Sequence, residues 1–241
     1  MGMHQSLGLS RAVVVQPTGY GFDNACTLAA VAALGNVGRA VVVDASADDA
    51  TLESLHAAGA RGVRFMMLAG GVLPWDALEP VAARIQPLGW HINLQLNGCE
   101  LPQFADRLAR LPVPLVIDHL GKFLPPPAAS VPAFRALRTL LDGGRCWVKL
   151  SAPYESSLSS GPGYTDVSVL AAELARDYPE RCLWASNWPH PNRQPVPDDA
   201  AMLDLASRVG AYRSCRAAYS CRQPRGAVWI LKARSPRRPR P

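Results

Sequence analysis

Residues 113–122 read Val-Pro-Leu-Val-Ile-Asp-His-Leu-Gly-Lys, an apolar run that breaks abruptly into Asp118, His119 and Lys122. A short β-branched run bounded by Pro114 and Gly121 has the pattern of a strand buried on both faces. Its polar ending marks where the chain leaves the buried layer. The same pattern recurs along the chain, giving expected strands at 12–16, 40–44, 62–67, 92–96, 115–119, 147–151 and 183–187. Between and after them, amphipathic stretches predict helices over 24–34, 49–58, 75–85, 101–111, 131–141, 165–177 and 198–207. Gly35, Gly59, Gly89 and Gly143 sit just past helix ends, where a left-handed cap favours glycine. Asp76 and Asp198 sit near helix starts.

Seven β-then-α units imply a parallel sheet, because a crossover helix is what joins parallel strands. A doubly wound sheet would also alternate in this way. It would be expected to carry a glycine-rich nucleotide loop, and Gly19-Tyr-Gly21 does not complete that fingerprint. The expected fold is therefore α/β, a (β/α)8 TIM-like barrel that is incomplete, with its first strand missing.

In such barrels the chemistry sits at the C-terminal ends of the strands. The polar residues that close these strands are Gln16-Pro-Thr18, Asp44, Arg64, Gln95-Leu-Asn97, Asp118-His119 followed by Lys122, Lys149-Leu-Ser151 with Tyr154, and Asn187-Trp-Pro-His190-Pro-Asn192. Each also has a purely structural reading. Arg64 could pair with an acid, Lys149 could snorkel outward, Asp118 could brace a loop or the histidine, and His119 could be a satisfied core residue. Trp75, Trp90 and Trp147 are expected in the core and Trp188 at the mouth. Cys26, Cys99, Cys146 and Cys182 lack metal-ligand spacing and read as small buried hydrophobes.

Composition narrows the function classes. The 241 residues are 49% hydrophobic and 18% charged, which argues for a folded core and against disorder. No apolar run approaches the roughly 18 residues of a membrane span, so no membrane partner is expected. Six cysteines in a chain this long do not form a disulfide scaffold, and no signal sequence opens it; a cytoplasmic location is expected. The net charge of +6 would suit a nucleic-acid partner, but nine of the 25 basic residues and none of the 19 acids lie in 209–241. The body, 1–208, is therefore net negative, and no nucleic-acid partner is expected. Residues 209–241 are expected to be a disordered basic tail or one translated out of frame, since a shifted reading of 221–231 permits a different, stop-terminated end.

Several segments together resemble the amidohydrolase superfamily (amidohydrolase family 2), in the branch of 2-pyrone-4,6-dicarboxylate lactonase and its relatives. They are Val13-Val-Val-Gln-Pro-Thr-Gly-Tyr-Gly-Phe-Asp-Asn24, Gly62-Val-Arg-Phe65, Leu88-Gly-Trp-His-Ile-Asn93, Val116-Ile-Asp-His-Leu-Gly-Lys122, Trp147-Val-Lys-Leu-Ser151 and Leu183-Trp-Ala-Ser-Asn-Trp-Pro-His-Pro-Asn192. The resemblance implies a barrel hydrolase in which water attacks the carbonyl of a small carboxylated lactone. His119 and Asn187 then stand at catalytic positions, and Thr18, Arg64, Lys122, Lys149, Tyr154 and Asn192 at substrate-binding ones. Two departures accompany it. The His-x-His of the family's first strand, which binds a divalent metal in many members, is absent, His4 being single, so no metal or other cofactor is expected. Asn187 stands where the family has aspartate, and an amide cannot accept the proton that a carboxylate can. A catalytically impaired remnant or ligand-binding scaffold is the alternative, and the unpaired barrel edge would favour self-association.

Overall fold

The computed structural model describes residues 6–44, 48–128 and 131–209. Within them the strands are β1 (Ala12–Val15), β2 (Gly38–Val42), β3 (Ala60–Met66), β4 (His91–Gln95), β5 (Leu115–Ile117), β6 (Cys146–Leu150) and β7 (Cys182–Trp184). They alternate with helices α1 (Ala25–Leu34), α2 (Asp49–Ala57), α3 (Leu78–Ile85), α4 (Leu101–Ala109), α5 (Pro132–Asp142), α6 (Thr165–Asp177) and α7 (Asp199–Arg208). Every neighbouring pair from β1 to β7 is parallel and in sequence order, giving an incomplete TIM-like barrel.

The helices dock through narrow apolar stripes. Val167, Leu170, Ala171, Leu174 and Ala175 of α6 recur at helical spacing and are buried, as are Phe134, Leu137, Leu140 and Leu141 of α5. Asp48 and Asp198 cap α2 and α7, accepting from the backbone N–H of Thr51 (2.7 Å) and Ala201 (2.9 Å). The stretch expected to begin a helix at Trp75 opens instead as a 3-10 turn, Trp75–Ala77.

Three expectations are corrected in detail. The left-handed position after α5 falls on Gly144 (φ 73°), one residue later than Gly143, whose backbone is still helical. Cys26 and Cys99 are exposed, and among the described cysteines only Cys146 and Cys182 are buried; the first two lie on α1 and in the 3-10 turn Gly98–Glu100, where they meet solvent. Trp90 is fully buried, whereas Trp75 and Trp147 are half-buried. Trp75 stacks on Phe104 with centroids 4.0 Å apart, and Arg181 covers Trp147.

The strands alternate more strictly than their apolar sequences suggest. Val63 and Phe65, Ile92 and Leu94, and Val148 and Leu150 belong to the apolar layer, while Arg64, Asn93 and Lys149 fall on the opposite, barrel-interior face by period-two alternation. Register places Arg64 opposite Asn93, and Asn93 opposite Val116. Gly62 is required by this packing. It faces His91, and a Cβ there would stand 2.6 Å from the His91 ring. Among the described residues no helix is long and apolar enough to cross a membrane. The tail expected from 209 onward lies outside the described residues except for Val209, whose N–H bonds Leu205 O at the end of α7. His4 also lies outside them.

Candidate active site

The loops leaving β5, β6 and β7 carry backbone conformations that side chains ordinarily avoid. His119, Leu120 and Lys122 after β5, Ala152 and Tyr164 after β6, and Asn187, His190 and Asn192 after β7 all have φ between 42° and 66°. Left-handed residues other than glycine cost free energy and persist where surrounding contacts fix them, commonly at functional sites. These turns also end β5 and β7 after three residues, where five were expected.

Inside the barrel mouth, three polar side chains close a ring. Lys149 Nζ lies 2.8 Å from Asp118 Oδ1 and donates to Asn93 Oδ1 (2.5 Å), while Asn93 Nδ2 donates to Asp118 Oδ2 (2.8 Å). Lys149 therefore does not snorkel outward. Asp118 braces neither a loop nor the histidine but holds the lysine. Burial alone would raise the Asp118 carboxyl; the charge of Lys149, the largest opposing influence, holds it instead far below the usual carboxylate range.

Arg64 is placed differently. Its two terminal nitrogens donate to neutral acceptors, Gln16 O (2.6 Å) and Gln95 Oε1 (2.5 Å), and its buried Nε–H has no hydrogen-bond partner. Among the described residues no carboxylate lies within ion-pairing distance of it. Lys122, by contrast, pairs with Glu155 at 2.8 Å. Of the three cations on or beside β3, β5 and β6, Lys149 and Lys122 are each paired with a carboxylate, and Arg64 is the one left to meet an anionic ligand.

His119 Nδ1 lies 3.0 Å from Ser151 Oγ. With the hydroxyl donating, Nε2–H is the donor left for a ligand oxygen. Burial, reinforced by Lys149 and opposed by Asp118, pushes His119 down to about 4; burial does the same to His91. Both rings are neutral at pH 7. Because the unfolded chain binds protons at these histidines near pH 6.5 and the folded chain only near 4, stability is expected to fall as pH drops from about 6.5 to about 4. Each ring accounts for roughly 3 kcal/mol across that window. Urea titrations at pH 7 and pH 4.5 measure this, and His91→Gln should remove about half of the difference. A midpoint independent of pH over that range contradicts it.

A second cluster surrounds Tyr154. Its hydroxyl accepts from Asn187 Nδ2 (3.0 Å) and lies 2.6 Å from His190 Nδ1, while Arg193 donates to its carbonyl oxygen. Of the residues singled out from sequence, Lys149 lies in the first cluster and Tyr154 and Asn187 in the second; Lys122 pairs with Glu155 next to Tyr154, Arg64 lies opposite Asn93 in register, and His119 follows Asp118 in sequence. Thr18 sits in the 3-10 turn after β1, and Asn192 is exposed; no side-chain contact joins either to them. Asn93, Glu155, Arg193 and Asp199 were missed. Trp188, next to Asn187, is 63% exposed. A small apolar pocket of about 40 Å³, lined by Leu150, Ser151, Trp184 and Met202 among others, has no titratable lining and is not the polar site.

The amidohydrolase family profile matches residues 1–214. The chain belongs to the amidohydrolase family. This amidohydrolase is 37% identical over 205 residues to a D-galactarolactone isomerase of Agrobacterium fabrum (strain C58 / ATCC 33970), covering 83% of this chain and 70% of that one. It is 34% identical to a 2-pyrone-4,6-dicarboxylate hydrolase of Comamonas testosteroni, covering 86% and 72%. A crystal structure of an apo protein from Agrobacterium tumefaciens superposes with a TM-score of 0.82 at 34% identity, over 92% of this amidohydrolase and 84% of that protein. Among the described residues no group of three His, Cys, Asp or Glu side chains is placed to hold a metal ion.

Proposed function

We propose that this amidohydrolase opens a small lactone bearing one carboxylate, by attack of water on the ring carbonyl. The observation that carries this reading is Arg64, a largely buried cation held by neutral partners with an unpaired Nε–H. A carboxylate satisfies that charge through the second N–H that each terminal nitrogen still has to give. A second carboxylate on the same ligand would have to displace Glu155 from Lys122, so the charge balance favours a monoanion over a dianion. Lys149 has two partners for its three N–H donors, leaving one for the lactone, and neutral His119 donates to the carbonyl oxygen as negative charge develops there.

Lactone isomerisation is the second reading. Asn187 stands where a carboxylate would activate water, and one relative bears the name of a lactone isomerase. In that case a hydroxyl of the substrate is the acyl acceptor. Incubating the chain with D-galactarolactone or 2-pyrone-4,6-dicarboxylate in ¹⁸O-water separates the two. Hydrolysis places one ¹⁸O in the new carboxylate; isomerisation changes the lactone without incorporation. Faster turnover of the monocarboxylate is expected, and no turnover of any carboxylated lactone overturns the reading.

A further inference from the structure

Asn187, Tyr154, His190 and Asp199 form one unbroken chain of hydrogen bonds from the end of β7 to the first turn of α7. The steps are Asn187 Nδ2 to Tyr154 Oη at 3.0 Å, Tyr154 Oη to His190 Nδ1 at 2.6 Å, and His190 Nε2 to Asp199 Oδ1 at 3.1 Å. For a neutral imidazole one arrangement of protons satisfies every link. The amide can only donate to the phenol oxygen, the phenol gives its hydrogen to Nδ1, and Nε2–H faces a carboxylate that can only accept. A second proton on the ring lets it donate to both neighbours, so the same geometry also fits the imidazolium.

This is the layout of a base backed by an acid and aimed through a hydroxyl. The His190 side chain has no exposed surface, so its proton traffic runs through Tyr154 and Asp199. The Arg193 guanidinium lies 5.1 Å from the Tyr154 ring centroid, where it favours negative charge developing on the phenol. Glu155 and Asp199 are the acidic groups that act on this hydroxyl. Burial, the largest influence, pushes Tyr154 up to about 12, so the phenol remains protonated at rest and works by passing its proton on as it takes another.

Resting on the lactone reading above, we propose that Tyr154 accepts the proton of the attacking oxygen, with His190 and Asp199 acting through it, in place of the carboxylate that position 187 lacks. As the acceptor oxygen bonds to the lactone carbonyl carbon, its proton moves to Tyr154 Oη and the phenolic proton moves to His190 Nδ1. The imidazolium is held by Asp199. On collapse the acyl–oxygen bond of the ring breaks, the departing oxygen takes a proton from Tyr154, and His190 returns its own. Water, or a substrate hydroxyl, has then added across that bond with all protons accounted for.

The test uses the full chain and the same two lactones. Tyr154→Phe is expected to lower kcat by about 10²- to 10⁴-fold, the span of a lost general base, with KM changed by no more than a few-fold. His190→Gln should act on kcat in the same direction. Replacing Tyr154 alone with 3,5-difluorotyrosine keeps the ring and its hydrogen bonds but lowers the hydroxyl's proton affinity, and should shift kcat several-fold at constant KM. A tyrosine that merely pins the β7 loop to α7 would leave kcat unmoved by fluorination, and that result overturns the proposal even where Tyr154→Phe fails to fold. Wild-type turnover with an unaffected Tyr154→Phe variant overturns the relay alone; no wild-type turnover of either lactone overturns the functional reading and the relay together.

Discussion

Asn187→Asp is expected to raise the rate of lactone hydrolysis by about 10²-fold or more. Positioned general bases contribute about 10²- to 10⁴-fold, and an amide contributes nothing as a proton acceptor. Asn187 already stands within 3.0 Å of the Tyr154 hydroxyl, in the left-handed turn after β7 (φ 66°), so the substitution exchanges the amide –NH2 for an oxygen at the same place in the backbone. Aspartate tolerates that backbone region about as well as asparagine does. The new carboxylate would compete with His190 for the phenolic proton and take a proton from water directly. If the unsubstituted chain isomerises lactones, the same change should divert product from the isomeric lactone to the open diacid, read as a rise in ¹⁸O incorporation. An unchanged hydrolysis rate would show that position 187 does not reach the attacking oxygen.

The barrel was legible because its signal is repeated. Each strand is a short apolar run and each helix an apolar stripe, so errors at the ends of single elements, such as the early stop of β7 at Trp184, leave the order of units intact. The interior polar face was legible only in part. Arg64 and Lys149 stand out as charges inside apolar strands, whereas Asn93 is a short amide that a sequence reading passes over. Its signal was its parity: two residues before Gln95 and directly opposite Arg64, it had to face the same way as both. Glu155 was hidden for another reason. Adjacent to Tyr154 in sequence, it takes its meaning from Lys122, 33 residues away, and no spacing rule connects two loops. Asp199, in the first turn of α7, takes its meaning from His190, which lies in the loop before that helix and meets it at 3.1 Å.

The central claim is that the unmatched charge on Arg64 selects a carboxylated lactone, and it is tested most directly by separating charge recognition from folding and chemistry. A hydrogen bond to a charged group contributes about 1.5–3 kcal/mol, which corresponds to roughly 10- to 100-fold in kcat/KM. Arg64→Met should therefore lose roughly 10- to 100-fold on D-galactarolactone. Lys149 and Lys122 cannot take over, because each is already paired with a carboxylate, Asp118 and Glu155. On the methyl ester of the same lactone, which carries no charge, wild type and Arg64→Met should differ by less than about threefold, a gap under 1 kcal/mol. The measurement is kcat/KM for both proteins on both compounds. A loss confined to the carboxylate is the predicted result; an equal loss on acid and ester would show that Arg64 holds the barrel together and does not read the substrate's charge.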